Sequence, residues 1–141
     1  MTDLQKAKNA LPGHTLALCR GEEILTDDRR GVAPMLSFLS KGRDLSGFCA
    51  ADRVVGKAAA LLFLKAGVRE LFAEVLSESA LVLLRKAGLP CTYGTLTPAI
   101  INREGTGPCP MEKAVRDTDD PETGYALICE KFRQMTLGKK P

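Results

Sequence analysis

Gly56-Lys57 is where residue types and spacing in this chain first suggest chemistry. A short apolar run leads into it, and an almost wholly apolar helical stretch follows, with Lys57 and Lys65 its only polar residues. A helix beginning there presents free backbone N–H groups, a partial positive charge and a lysine, which together suit an anion. Gly56 lets the backbone approach a ligand closely, and Lys57 adds a point charge. A second helix start is expected at Ser77-Glu78, where Ser77 offers a hydroxyl. Helix N-termini that follow parallel strands open on one crevice. The two are therefore expected to meet and hold a phosphate or diphosphate.

Asp52 and Arg53 stand just upstream. Asp52 can cap the helix or take a ligand hydroxyl, and Arg53 can pair with a phosphate. Glu78 opposes an anion but suits a ribose hydroxyl. The pattern is not a P-loop, because Ala51 and Ala58 occupy the positions that need Gly and Ser/Thr. The plain structural alternative is that Gly56 ends a strand, Lys57 reaches solvent, Ser77 only caps, and Asp52-Arg53 form a surface ion pair of little worth. Asn102-Arg103-Glu104 with Gly105-Thr106-Gly107 makes a polar loop of the kind that carries binding when a sheet places it. Cys109 stands at another expected helix start, where a thiol pKa tends to fall, so it is a candidate nucleophile or redox sensor. Against that, no histidine is near in sequence, and the charge of Glu112 disfavours a thiolate.

The elements that must position these residues follow from periodicity and punctuation. A helix capped by Thr2 or Asp3 ends before Pro12-Gly13, within an N-terminal segment 1–13. Residues 14–19 and 23–26 flank a Gly21 turn as a hairpin. Pro34 opens a helix that Gly42 closes. Residues 45–51 read as the third strand, and the apolar helix after Gly56 is expected to be buried, since it has no wet face. Residues 68–76 and a segment starting at 89 read as further strands, separated by the helix 78–87 with Gly88 behind it. Strand, helix, strand, helix, strand with short links makes right-handed βαβ crossovers. The expectation is a three-layer α/β/α sandwich with a mixed five-stranded sheet. Residues 97–107 read as a loop, 108–115 as the start of a helix, and 121–135 as the last helix. Residues 136–141 are a tail.

Composition narrows the function classes. The chain of 141 residues is one domain by the usual prior, 45% hydrophobic and 26% charged, with a net charge of +3. It has no basic block and no tryptophan, which speaks against nucleic-acid binding. The five cysteines include no C-x-x-C, no stretch approaches a membrane span, and the first residues lack signal-peptide character. A reduced, cytoplasmic protein is expected.

The sequence also resembles a small family of uncharacterised microbial proteins with a cytidine-deaminase-like fold. The likeness rests on Arg30-Gly31 with Pro34, residues 52–60, Ser77-Glu78 with Ala80, Asn102-Arg103 with Gly105-Thr106-Gly107, and Cys109-Pro110-Met111-Glu112. It implies the deaminase-like fold but no established activity. Zinc deaminases of that fold place a His or Cys ligand, with a Glu two residues on, at one helix start and P-C-x-x-C at the next. Here those starts read Gly56-Lys57-Ala58 and Ser77-Glu78-Ser79, and the one histidine is His14. A catalytic zinc needs three protein ligands, so no metal is expected. The resemblance also implies assembly through helices on one sheet face, hence a homodimer. Together these point to a metal-free binder of a nucleotide or other small phosphorylated molecule. An ADP-ribose-like ligand would meet Asp52, Gly56, Lys57, Ser77 and Glu78, with Arg53, Asn102, Arg103 and Cys109 nearby. A thiol-dependent enzyme or redox sensor using Cys109, and a non-catalytic interaction scaffold, are the alternatives.

Overall fold

The computed structural model describes residues 1–102 and 104–137. Over these residues the chain forms six helices and a mixed five-stranded sheet. The order is α1 (Asp3–Ala10), β1 (Leu16–Arg20), β2 (Glu23–Asp27), α2 (Ala33–Ser40), β3 (Cys49–Val55), α3 (Lys57–Ala66), β4 (Glu70–Ser77), α4 (Glu78–Ala87), β5 (Cys91–Thr97), α5 (Pro110–Ala114) and α6 (Pro121–Leu137). In space the strands run β2-β1-β3-β4-β5. β1 is antiparallel to both β2 and β3, while β3, β4 and β5 are mutually parallel.

The helix starts and stops follow local chemistry. Thr2 and Gln5 form a reciprocal capping box on α1. Ser77 accepts from the Ala80 N–H at the start of α4. α3 and α4 each end on a glycine in the left-handed region, Gly67 and Gly88.

Helices cover both faces of the sheet, unequally. On one face α1 packs Ala7 and Leu11 on Ala17, Cys19 and Ala51. The other face carries the main core, where Leu18, Ala50, Leu71 and Ala73 meet Leu61 and Phe63 of α3, Leu84 of α4 and Ile128 of α6. Ala50 and Ala51 are both fully buried, as a central strand covered on both faces requires. α3 lies in the middle of its layer, with Ala58, Ala60, Leu61, Leu62 and Phe63 buried. α6 crosses it closely: a Cβ on Gly124 would come within 2.7 Å of Leu61 Cδ1.

Every strand is offset by one or more residues from the sequence expectation, and the offset of β3 decides the site. β3 begins at Cys49 rather than residue 45. Asp44 accepts from both the Ser46 N–H and hydroxyl, and Gly47 sits at φ 77°, so residues 44–47 make a turn. Leu45 is buried from within that turn. The strand then extends through Asp52 and Arg53 to Val55. β5 likewise extends from Cys91 to Thr97. Alternation along β3 sends neighbouring side chains to opposite faces, so Asp52 and Arg53 part company.

Candidate functional site

A cavity of about 280 Å³ opens beyond the C-terminal end of β3. Its floor is Leu16 of β1 with Asp52 and Val54 of β3. Arg30, Val32 and Met35 close it from the segment entering α2, and Ala58, Ala59 and Leu62 line it from α3. Cys109, Met111 and Glu112 form the far wall, with Ile100 above them. The lining is mostly apolar, with Arg30, Asp52 and Glu112 among its charged exceptions, and Asp52 lies on the floor. The Asp52 carboxyl is pushed up to about 7, first by burial and further by the charge of Glu74, while the backbone N–H groups of Arg53 and Val54 pull the other way. The shift brings its titration toward neutral pH, where the protonated form can donate a hydrogen bond and the ionised form can accept one.

The N-terminus of α3 borders this cavity and is already filled. Glu112 Oε1 accepts from the Lys57 N–H at 2.8 Å, and Oε2 accepts from the Ala58 N–H at 2.8 Å. The anion that this helix start attracts is the chain's own carboxylate, held by charge-assisted bonds along the helix dipole. Gly56 is required by that carboxylate. A Cβ there would come within 2.6 Å of Glu112 Cδ, although φ is −99° and imposes no strain on a larger residue. Pro110 at the start of α5 and Met111 buried in the core fix the short helix that delivers Glu112.

The residues singled out in sequence are thus distributed over several places. Asp52, Gly56 and Cys109 border the cavity, as does the backbone of Arg53. The Arg53 side chain lies on the opposite face, where it bonds the carbonyls of Leu11 and His14 and the Glu74 carboxylate at 2.7 Å, tying the end of α1 to the sheet. Lys57 is not a free cation: its side chain is 13% exposed, and Nζ reaches the Arg116 carbonyl at 3.1 Å and Asp119 at 2.9 Å. The two helix starts meet away from this cavity on the α4 side, and Ser77 takes no part in a site there. Ser77 is fully buried with its oxygen committed to the Ala80 N–H. Glu78 and Lys57 border a separate shallow groove with Ser79, Lys86 and Asp119. The Asn102 side chain closes its own loop, bonding the Thr106 N–H and hydroxyl. Arg103 lies outside the described residues. Cys109 is half-buried and faces the cavity, packed against the main core.

Arg30 and Glu112 were not among the expected binding residues. The signal for Glu112 was its place in Cys109-Pro110-Met111-Glu112, two residues after a proline that starts a helix. Among the described residues no three His, Cys, Asp or Glu side chains gather as a metal ligand set. No helix among them is long and apolar enough to cross a membrane.

No curated protein matches the chain. A solved structure does: the DUF1893 family protein TM1506 from Thermotoga maritima, with a TM-score of 0.83 and 28% sequence identity, covering 94% of this chain and 92% of that one. Residues 6–132, which include every wall of the cavity, match the family described as TM1506, a domain of unknown function (DUF1893), and the chain belongs to that family.

Proposed function

We propose that this is a small-molecule-binding domain of cytidine-deaminase-like topology, and that its ligand is a nucleotide or a related phosphorylated molecule held in the cavity at the end of β3. The topology is supported by the sheet order, an antiparallel hairpin followed by three parallel strands with both crossover helices on one face. The observation that carries the binding reading is Asp52. Its carboxyl lines an apolar cavity, and among the described residues no side chain hydrogen-bonds it. A half-buried acid that only backbone N–H groups contact leaves hydrogen-bonding capacity for a ligand. A carboxyl that donates when protonated and accepts when ionised matches an edge that carries both donors and acceptors, as a nucleobase does, and the apolar walls accept its faces.

The ligand's phosphate does not go to the α3 N-terminus, because Glu112 holds it. It goes to Arg30, which lines the cavity and forms no ion pair among the described residues. Titration calorimetry with matched nucleosides and nucleotides tests this at fixed ionic strength. Nucleotides should bind, Asp52→Ala should weaken both classes, and Arg30→Ala should weaken nucleotides more than nucleosides. A panel that shows no binding, or an Arg30→Ala variant that treats the two classes alike, refutes the reading. A second reading, thiol chemistry at Cys109, is supported by the position of that side chain on the cavity wall. Alkylation of Cys109 that is faster than that of Cys91 and Cys129 at neutral pH would favour it.

A further inference from the structure

β5 is an open edge. It has β4 on one side and no strand among the described residues on the other. Its seven residues, Cys91–Thr97, carry no charge. Thr92, Tyr93, Gly94, Thr95 and Leu96 are all exposed. The opposite edge is guarded differently. β2 begins with Glu23, ion-paired with Arg43, and ends with Asp27, ion-paired with Arg29 at 2.6 Å. Folded proteins protect free edges with charges, prolines or bulges. β2 has such protection and β5 has none within its length, since Pro90 and Pro98 stand just outside it. A seven-residue edge left bare in this way is suited to another strand.

We propose that β5 pairs antiparallel with β5 of a second copy of this chain, about a two-fold axis at Gly94 normal to the sheet. The strand is self-complementary about that point. Tyr93 of each copy falls opposite Thr95 of the other, and Thr92 opposite Leu96. These are aromatic–β-branched and apolar cross-strand pairs, with no like charges facing. The same axis matches the charges on α4. As the crossover between parallel strands, α4 runs antiparallel to β5. Glu78 in its first turn and Arg85 in its last lie seven residues apart on one stripe, with the nearly buried Leu81 between them. The Arg85 charge is felt at the start of β5, where it opposes the upward push that burial gives the Cys91 thiol. Neither Glu78 nor Arg85 has an ion-pair partner among the described residues, whereas Lys86 on the neighbouring stripe is held by Asp119. A two-fold axis reverses one α4 against the other, so Glu78 of each copy meets Arg85 of its mate. This is the reciprocal arrangement an isologous interface requires.

Sedimentation equilibrium of the full chain tests the interface. The parent should be a dimer. Glu78→Arg and Arg85→Glu should each raise the dimer Kd by about tenfold or more, and the double reversal should bring it back to within about threefold of the parent. Thr95→Lys, which puts a charge on the edge itself, should also dissociate the dimer. Circular dichroism melts show that each variant is folded. A parent that stays monomeric at about 100 µM overturns the proposal. So does a dimer indifferent to the single reversals and to Thr95→Lys, or a double reversal that restores nothing.

Discussion

Asp52→Asn should make the protein more stable as the pH rises, by an amount that grows over a defined window. The Asp52 carboxyl moves from an ordinary value of 3.8 to about 7 in the folded chain. Below about pH 4 it is protonated in both folded and unfolded chains, so it costs nothing. Between about 4 and 7 the unfolded chain releases the proton and the folded chain keeps it, so stability falls as pH rises. Above about 7 the carboxylate is ionised in both states and the loss is complete. About three units at 1.36 kcal/mol each set a ceiling of about 4 kcal/mol. The carboxyl is only half-buried and borders a cavity, so entering water lowers the expected gap to about 1–3 kcal/mol. Asparagine has nearly the same shape and no charge to desolvate. The assay is urea unfolding of parent and Asp52→Asn at half-unit steps from about pH 4.5 to 8.5. Other titrating groups shift both curves alike and cancel in the difference. The stability of Asp52→Asn minus that of the parent should rise through the window and level off above about pH 7. A difference that is flat with pH, or that falls, would refute the claim that the cavity holds a desolvated acid.

The remaining predictions concern the clasp and the packing around α3. Gly56→Ala should cost about 1–3 kcal/mol by displacing the Glu112 carboxylate, and should cost far less in a Glu112→Ala background, as chemical denaturation of the four variants would show. Ala60→Asp should abolish folding, because the site is fully buried in the central helix, whereas Ala59→Asp, half-buried beside the cavity, should remain soluble with a lowered Tm. Lys57→Ala should lower Tm more than Lys41→Ala does, since Lys57 Nζ bridges the Arg116 carbonyl and Asp119 and Lys41 is an exposed residue at the end of α2.

The fold was legible wherever one segment carried its own signal. The buried helix α3 announced itself by lacking a wet face, Ser77 by its place before an acidic helix turn, and the end of α4 by Gly88. The start of β3 was less visible, because Leu45 and Phe48 are apolar enough for a strand while the turn is made by an Asp44 side chain and a positive φ at Gly47. The site was legible by place but not by partner. Asp52 and Gly56 border a real cavity, yet sequence adjacency suggested that Asp52 and Arg53 act together, and strand alternation separates them. Nor could composition show that Lys57 is occupied, since its partners Arg116 and Asp119 lie far along the chain.

The Glu112 carboxylate holds the α3 N-terminus, the place where the local pattern suggests a phosphate. A helix N-terminus beside a glycine attracts a carboxylate whether it comes from solvent or from the chain. What distinguishes the cases is a segment 55 residues away that the local pattern does not contain. Its presence changes which groups the cavity offers. With the α3 N–H groups satisfied and Lys57 paired with Asp119, neither the dipole nor the lysine is left to draw a phosphate onto the helix end. The polar character of the cavity passes to Asp52 on the floor and Arg30 at α2, which face it from different elements. The clasp also ties the far wall to the near one: Cys109 and Met111 are placed by the same short helix that delivers Glu112, so loosening its grip on α3 moves one whole side of the cavity. Ligand affinity and the Glu112 bonds should therefore fall together in Gly56→Ala, even though no ligand atom needs to touch residue 56.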